Sequence, residues 1–216
     1  MINDLKKKDE ADCMGKVAFS GKLKPILTYQ EFIRSYNIKE KQKQAVERWF
    51  PIRPSPELAE ITAALMTDGH IDWNDYDTNP RPKKLVLYSN YKNECEWFSA
   101  KVYRLFGVEG KVIRYRASTG FSKKDSYKAI VYCAPLARIL ILAGVPCGDK
   151  TQKSYKVPSW IMSGSQEIKQ SFLRILFNFD GSISIKSRRS TAAITFSFNK
   201  QEKYLQSGKE FLLQVK

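Results

Sequence analysis

The sequence predicts an α+β protein made of αββαββα units in a pseudo-two-fold repeat, with the second copy incomplete. Two observations carry this expectation. Two largely apolar helices each end in Asp-Gly and lead directly into a strand, at Asp68-Gly69 and at Asp180-Gly181. Between them the hydrophobic pattern alternates twice between period-2 runs and helical spacing, and then it starts again.

The elements follow in chain order. Residues 1 to about 27 are polar and lysine-rich, with Lys6, Lys7 and Lys8 in a row, and read as an arm. Thr28 followed by Glu31 is a capping box that starts a short helix, and a second basic helix carries Lys39 to Trp49. This pair fits either a DNA-binding helix-turn-helix or a helical prop on the main domain. Ser55-Pro56-Glu57 supplies a cap, a first-turn proline and an acid for the first long helix, Leu58 to Thr67, which is apolar almost all round and therefore expected to be buried. Strands are expected over 71–76 and 85–89, an amphipathic helix over 94–106 ended by Gly107, and strands over 111–117 and 127–133. A helix over 135–143 completes the unit. After a loop, Ser163-Gly164-Ser165 leads the second apolar helix, Phe172 to Phe179. Strands over 182–186 and 191–198 and a helix from about Gln201 follow. The expected division is an appendage over 1–54, a first repeat over 55–150 and a second over 151–216. The second has no room for its last two strands and helix, which leaves an open strand edge where a second chain could pair.

Charge points to the partner. Lys and Arg number 37 against 22 Asp and Glu, a net charge of +15 in 216 residues. A surface that basic concentrates polyanions, and nucleic acid is the commonest of them. There is no signal-peptide pattern and no apolar run long enough to span a bilayer, so an intracellular protein, cytoplasmic or nucleoid-associated, is expected. Cys13, Cys95, Cys133 and Cys147 are scattered without a CxxC pair, which argues against a zinc site, and Cys95 and Cys133 read as small core residues. His70 is the single histidine, so two-histidine metal sites and histidine-centred nuclease motifs are excluded. Any hydrolysis must rest on carboxylates, lysines and metal ions. The stretch Gly144 to Thr151 is not a phosphate-binding loop, because its glycines are too close and Asp149 interrupts Gly-Lys.

An aspartate at a helix C-terminus meets the negative end of the dipole, at a cost of roughly 0.3–1 kcal/mol. Two such ends side by side would gather negative charge, for which a divalent cation is the natural counterion. The segments Ile61 to Gly69 and Leu173 to Gly181 resemble the two motifs of single-chain LAGLIDADG homing endonucleases. The resemblance extends to the αββαββα order and to Gly-Val-Pro-Cys-Gly-Asp-Lys between the repeats. It implies two motif helices packed at a pseudo-dyad through Ala63, Ala64, Ile175 and Leu176, and sheets forming a saddle on double-stranded DNA. Asp68 and Asp180 would be catalytic ligands to Mg²⁺ or Mn²⁺, with Gly69 and Gly181 permitting a tight helix exit. The family prefers small residues where Ile175 and Phe179 stand here.

The resemblance also implies a strand lysine at the reacting water, and Lys128 is the candidate. Alternation places Lys111, Ile113 and Tyr115 on one strand face and Val112, Arg114 and Arg116 on the other. Arg114 and Arg116, together with Lys128, Lys186, Arg188 and Arg189, are the candidate DNA contacts. The expected function is site-specific, metal-dependent DNA cleavage in intron homing. The alternative is a non-cleaving DNA binder or an intron-RNA splicing helper on the same fold. The chain is expected as a pseudo-symmetric monomer, or self-associated through its second half. No self-splicing intein termini are present in the sequence as given.

Overall fold

A computed structural model describes residues 24–73, 82–115, 125–186 and 191–196, together with residues 206, 209, 210, 213 and 214. The capping box at Thr28 and Glu31 is made, and it opens α1 (Tyr29–Ser35), followed by α2 (Glu40–Glu47). These helices are anchored to the body rather than standing free. Phe32 is fully buried against Phe50, Trp49 Nε1 donates to the Phe106 carbonyl at 2.7 Å, and Arg138 lies over the Tyr36 ring. A bridge between Leu27 and Ile52 closes the appendage. Of the two readings of this pair, the packing matches the helical prop.

Ser55 caps α3 (Pro56–Met66), its hydroxyl accepting from Leu58 N at 3.1 Å. Every residue from Leu58 to Met66 is buried, as an all-round apolar helix requires. The order then runs β1 (Gly69–Trp73), β2 (Pro82–Ser89), α4 (Lys92–Phe106), β3 (Lys111–Tyr115), β4 (Ser126–Tyr132) and α5 (Ala134–Leu142). Gly107 adopts φ 65° at the end of α4, the left-handed conformation expected of a capping glycine. Two short elements, a single 3-10 turn over Lys150–Gln152 and α6 (Ser159–Met162), occupy what reads as loop in the sequence. Then come α7 (Gln166–Asp180), β5 (Gly181–Lys186) and β6 (Thr191–Phe196). Helix α7 begins six residues before the expected Phe172, because Ser165 caps it with its hydroxyl. Of the helix expected from about Gln201, only single helical positions between 206 and 214 fall among the described residues.

The first sheet is antiparallel in the order β1-β2-β4-β3, and β5 pairs with β6 in a separate two-stranded sheet. Leu85, Leu87, Ala129 and Val131 point from the first sheet into the core, where α4 and α5 cover it. Helix α7 packs along α3 and completes that core with Phe172, Ile175 and Leu176. Ala63 and Ala64 are fully buried in the same cluster. Ile175, bulky where the resemblance prefers a small residue, is buried in the same cluster. No helix among the described residues is long and apolar enough to cross a membrane.

Candidate active site

Asp68 is placed by a helix stop that only glycine permits. Thr67 ends α3 and donates its hydroxyl back to the Ala63 and Ala64 carbonyls at 3.0 and 3.2 Å. The chain then turns so sharply that a Cβ on Gly69 would sit 2.6 Å from the Ala64 oxygen and 3.0 Å from the Val86 oxygen. Gly181 is equally confined, since a Cβ there would lie 2.5 Å from the Phe177 oxygen, yet its φ of −92° is ordinary. Both Asp-Gly glycines are therefore required by close approach and not by a left-handed backbone.

The two helix ends meet. Asp180, the last residue of α7, is half-buried. Its carboxyl is pushed up to about 6, first by burial and then by the charge of Asp68, with Lys150 opposing. Asp68 is raised as well, by burial first and also by Glu94, again with Lys150 opposing. The neighbouring Tyr155 phenol is pushed up to about 12 by burial and by Asp180. Two carboxyls whose proton affinities are both raised stand at this site, Asp180 in part through the charge of Asp68, and among the described residues the Lys150 ammonium lies within electrostatic reach of both.

That ammonium belongs to a segment the sequence left as loop. Residues 144–150 turn through Gly144 (φ 101°) and Gly148 (φ 76°) and dock on β1 through a bridge between Ile71 and Cys147. Gly148 N donates to the Ile71 carbonyl at 3.1 Å. Asp149 then caps the 3-10 turn, accepting from Thr151 N at 2.9 Å. Lys150 Nζ is held at the end of α3, donating to the carbonyls of Leu65 (3.2 Å), Gly69 (2.5 Å) and Thr67. It satisfies acceptors that a helix end leaves orphaned, and it offsets the dipole that Asp68 opposes. A cleft of about 500 Å³ lies between Thr67–Asp72 and Gly148–Thr151. Sequence reasoning set this stretch aside once a phosphate loop was excluded. The signal available was a helix end with an acid and no nearby cation.

Lys128 stands elsewhere. It pairs with Tyr88 on β2, and the Tyr88 amide meets the Asp68 carbonyl at 3.5 Å, so Lys128 is two strand spacings, about 10 Å, from Asp68. Its ammonium lies 5.5 Å from the Tyr115 ring centroid. The grouping of Arg114 with Lys128 needs correction. Arg114 pairs with Tyr127 on the core-side register, whereas Lys128 pairs with Ile113 on the opposite face. Arg114 is exposed at the sheet margin and bound to Asp125 at 2.5 Å. Lys186 lies on β5 opposite Thr191, while Arg116, Arg188 and Arg189 lie outside the described residues.

The sheet face away from α4 and α5 has a distinct chemistry. It carries His70, Lys84, Tyr88, Lys128 and Tyr132, with Lys111, Ile113 and Tyr115 from β3, and Asp72, which pairs with Lys84 at 2.9 Å. His70 stacks on Tyr88 at 5.7 Å, Tyr88 meets Tyr115 edge-on at 5.5 Å, and Lys84 lies over Tyr132. Val86 and Ile130 are buried on this face but stand outside the main core cluster. The result is a basic surface on an aromatic floor, suited to a polyanion with flat bases.

No family model matches the chain. Among curated proteins it is 34% identical over 166 residues to the tRNA-splicing ligase RtcB of Pyrococcus furiosus, covering 73% of this chain and 16% of the ligase. RtcB of Pyrococcus abyssi is 36% identical over 93 residues, covering 43% and 10%. The chain thus spans about a sixth of the length of these relatives or less. Among solved structures, a double variant of I-DmoI with its nicked target DNA and manganese gives a TM-score of 0.41. Its identity is 12%, covering 74% of this chain and 94% of that one. The site's own geometry has to carry the functional assignment.

Proposed function

We propose that this chain is a site-specific DNA endonuclease of the LAGLIDADG homing type. Residues 55–150 and 151–216 are its two repeats, and residues 1–54 are an appendage. The observation that carries the reading is the convergence of Asp68 and Asp180 beside Lys150 at the ends of two packed helices.

The residues fit a divalent ion. Two partly buried carboxyls of raised proton affinity, Asp180 raised in part by the charge of Asp68, would be relieved by a shared Mg²⁺ or Mn²⁺. The described residues contain no cluster of three or more His, Cys, Asp or Glu, and a Mg²⁺ site of this type completes its shell with water and substrate phosphate. A bound ion supplies Lewis-acid polarisation of the phosphate and charge neutralisation at the leaving 3′ oxygen. Asp68 and Asp180 hold and orient it. Lys150, fixed by three carbonyls, keeps a positive charge where the phosphate's negative charge grows, a preorganised electrostatic contribution. The basic aromatic sheet face, with Lys128 in its middle, binds the DNA backbone and grooves.

A second reading is favoured by the relatives, which are tRNA-splicing ligases: a splicing helper acting on RNA through the same face. One experiment separates the two. The purified chain is incubated with Mg²⁺ and either the double-stranded DNA flanking its gene or the corresponding RNA. DNA cleavage that disappears in Asp68→Asn, with DNA affinity within a few-fold of the parent, is the expected result. Cleavage that persists at normal rate in this variant sinks the assignment, and RNA binding without DNA cleavage favours the second reading.

A further inference from the structure

One charged residue has no place in an apolar helix. Glu60 lies in the middle of α3, 3% exposed, among neighbours that are nearly all hydrophobic. Its two oxygens are taken up by two other helices: Lys101 of α4 approaches Oε2 at 2.5 Å, and the Arg174 guanidinium of α7 binds Oε1. A buried ion pair is weak evidence for stability, since apolar replacements of similar volume are often neutral or better. What such a group adds is a single permitted alignment. Otherwise α3 and α7 meet within the apolar core, where contacts are non-directional and specify one alignment less sharply than a paired charge does.

The direction of the two helices gives this alignment a consequence. Glu60 precedes Asp68 by eight residues, and Arg174 precedes Asp180 by six. The ion pair therefore joins the middles of two helices running the same way, and the aspartates stand at their C-terminal ends. Glu60 stands six residues, about 9 Å, before the last residue of α3, and Arg174 stands six residues, about 9 Å, before the last residue of α7. A helix is stiff over this length, so a slip at Arg174 is delivered whole to Asp180, and one turn would move it by about 5.4 Å.

We propose that Glu60, Lys101 and Arg174 form a register lock that sets α7 against α3 so that Asp180 faces Asp68. Glu60 and Arg174 are positioning residues. The catalytic consequence rests on the endonuclease reading, while the lock itself does not.

The test uses Arg174→Met, because this side chain is 63% exposed and its loss leaves Glu60 paired with Lys101. Register is read by a short thiol-specific crosslinker between Asp68→Cys and Asp180→Cys, with Cys13, Cys133 and Cys147 changed to Ser and the crosslinked peptide identified by mass spectrometry. Crosslinking slows about tenfold with Arg174→Met, as the facing alignment becomes one state among several, and Arg174→Lys restores most of it. Glu60→Leu combined with Lys101→Met and Arg174→Met removes all three charges, remains folded by circular dichroism, and crosslinks as slowly. Equal crosslinking rates with and without Arg174 overturn the proposal. In the otherwise native chain, Arg174→Met lowers kcat about tenfold with DNA affinity within about twofold, the pattern of lost positioning rather than lost binding. An unchanged kcat overturns the positioning role. If crosslinking slows but neither chain cleaves DNA, the lock stands and the endonuclease reading fails.

Discussion

Replacing Asp180 with asparagine should make the protein more stable at neutral pH and leave it little changed in acid. The carboxyl is pushed from an ordinary 3.8 to about 6 by burial and by Asp68. Below the ordinary value the side chain is protonated in both folded and unfolded chains and costs nothing. As pH rises through the window between the two values, the unfolded chain loses its proton first, so stability falls. Above about 6 the full cost is present. A shift of this size, discounted for solvent screening because Asp180 is only partly buried, corresponds to about 1–2 kcal/mol, with burial its largest cause. Asparagine keeps the shape and never ionises. Near pH 4 the variant and parent should unfold at similar urea concentrations, and near pH 7.5 the variant should lead by about 1–2 kcal/mol, equivalent to roughly 2–8 °C.

The experiment is urea unfolding across this pH range, first with chelator and then with excess Mg²⁺. The ion binds only the folded parent and should stabilise it by mass action, closing the gap, while the variant gains little. A stability difference that is flat with pH, or that grows toward acid, would refute the reasoning, because it would mean that Asp180 is neither buried nor facing Asp68. Asp68→Asn provides the internal control. It removes the Coulombic share of the Asp180 shift but leaves burial, so the pH dependence should shrink without vanishing.

Two further outcomes are expected. Lys150→Met should lower unfolding free energy by about 2 kcal/mol in urea titrations, since it strips a partly buried cation from the end of α3, and Lys150→Arg should not rescue it because a planar guanidinium cannot converge on three carbonyls. A loss no larger than that of an ordinary surface lysine would count against the helix-end role. Lys128→Ala should weaken DNA binding and reduce the salt slope by about one in anisotropy titrations, whereas Arg114→Ala, on the other side of the sheet and engaged by Asp125, should change neither. The reverse pattern would place the DNA on the wrong face.

What could be read from the sequence divides along a physical line. Signals local in the chain were legible: the Thr28 capping box, Ser55-Pro56 at the start of α3, Gly107 after α4, and the alternation of β3 that put Arg114 opposite Ile113. The convergence of Asp68 and Asp180 was legible too, though only through the repetition of a helix end that would otherwise be an ordinary turn. Lys128 was grouped with the wrong β3 face because strand alternation fixes faces within one strand, and the pairing register between strands is set by packing and turns.

Lys150 and Glu60 were missed for a common reason. Each is a charge whose partners are distant in the chain, the α3 carbonyls for Lys150 and two later helices for Glu60. Hydrophobic pattern assigns an isolated acid in an apolar helix to a solvated edge, and it assigns a lysine after Gly-Asp to a loop surface. Both assignments assume that a charge seeks water. Here the three-dimensional fold supplies counter-charges where water is excluded, so one lone acid becomes an inter-helix link and one loop lysine becomes the cap of a helix that carries an aspartate at its negative end. The two features converge on the same problem: holding two acids side by side at the ends of parallel helices needs a cation to make their company tolerable and an alignment device to stop α7 from escaping it.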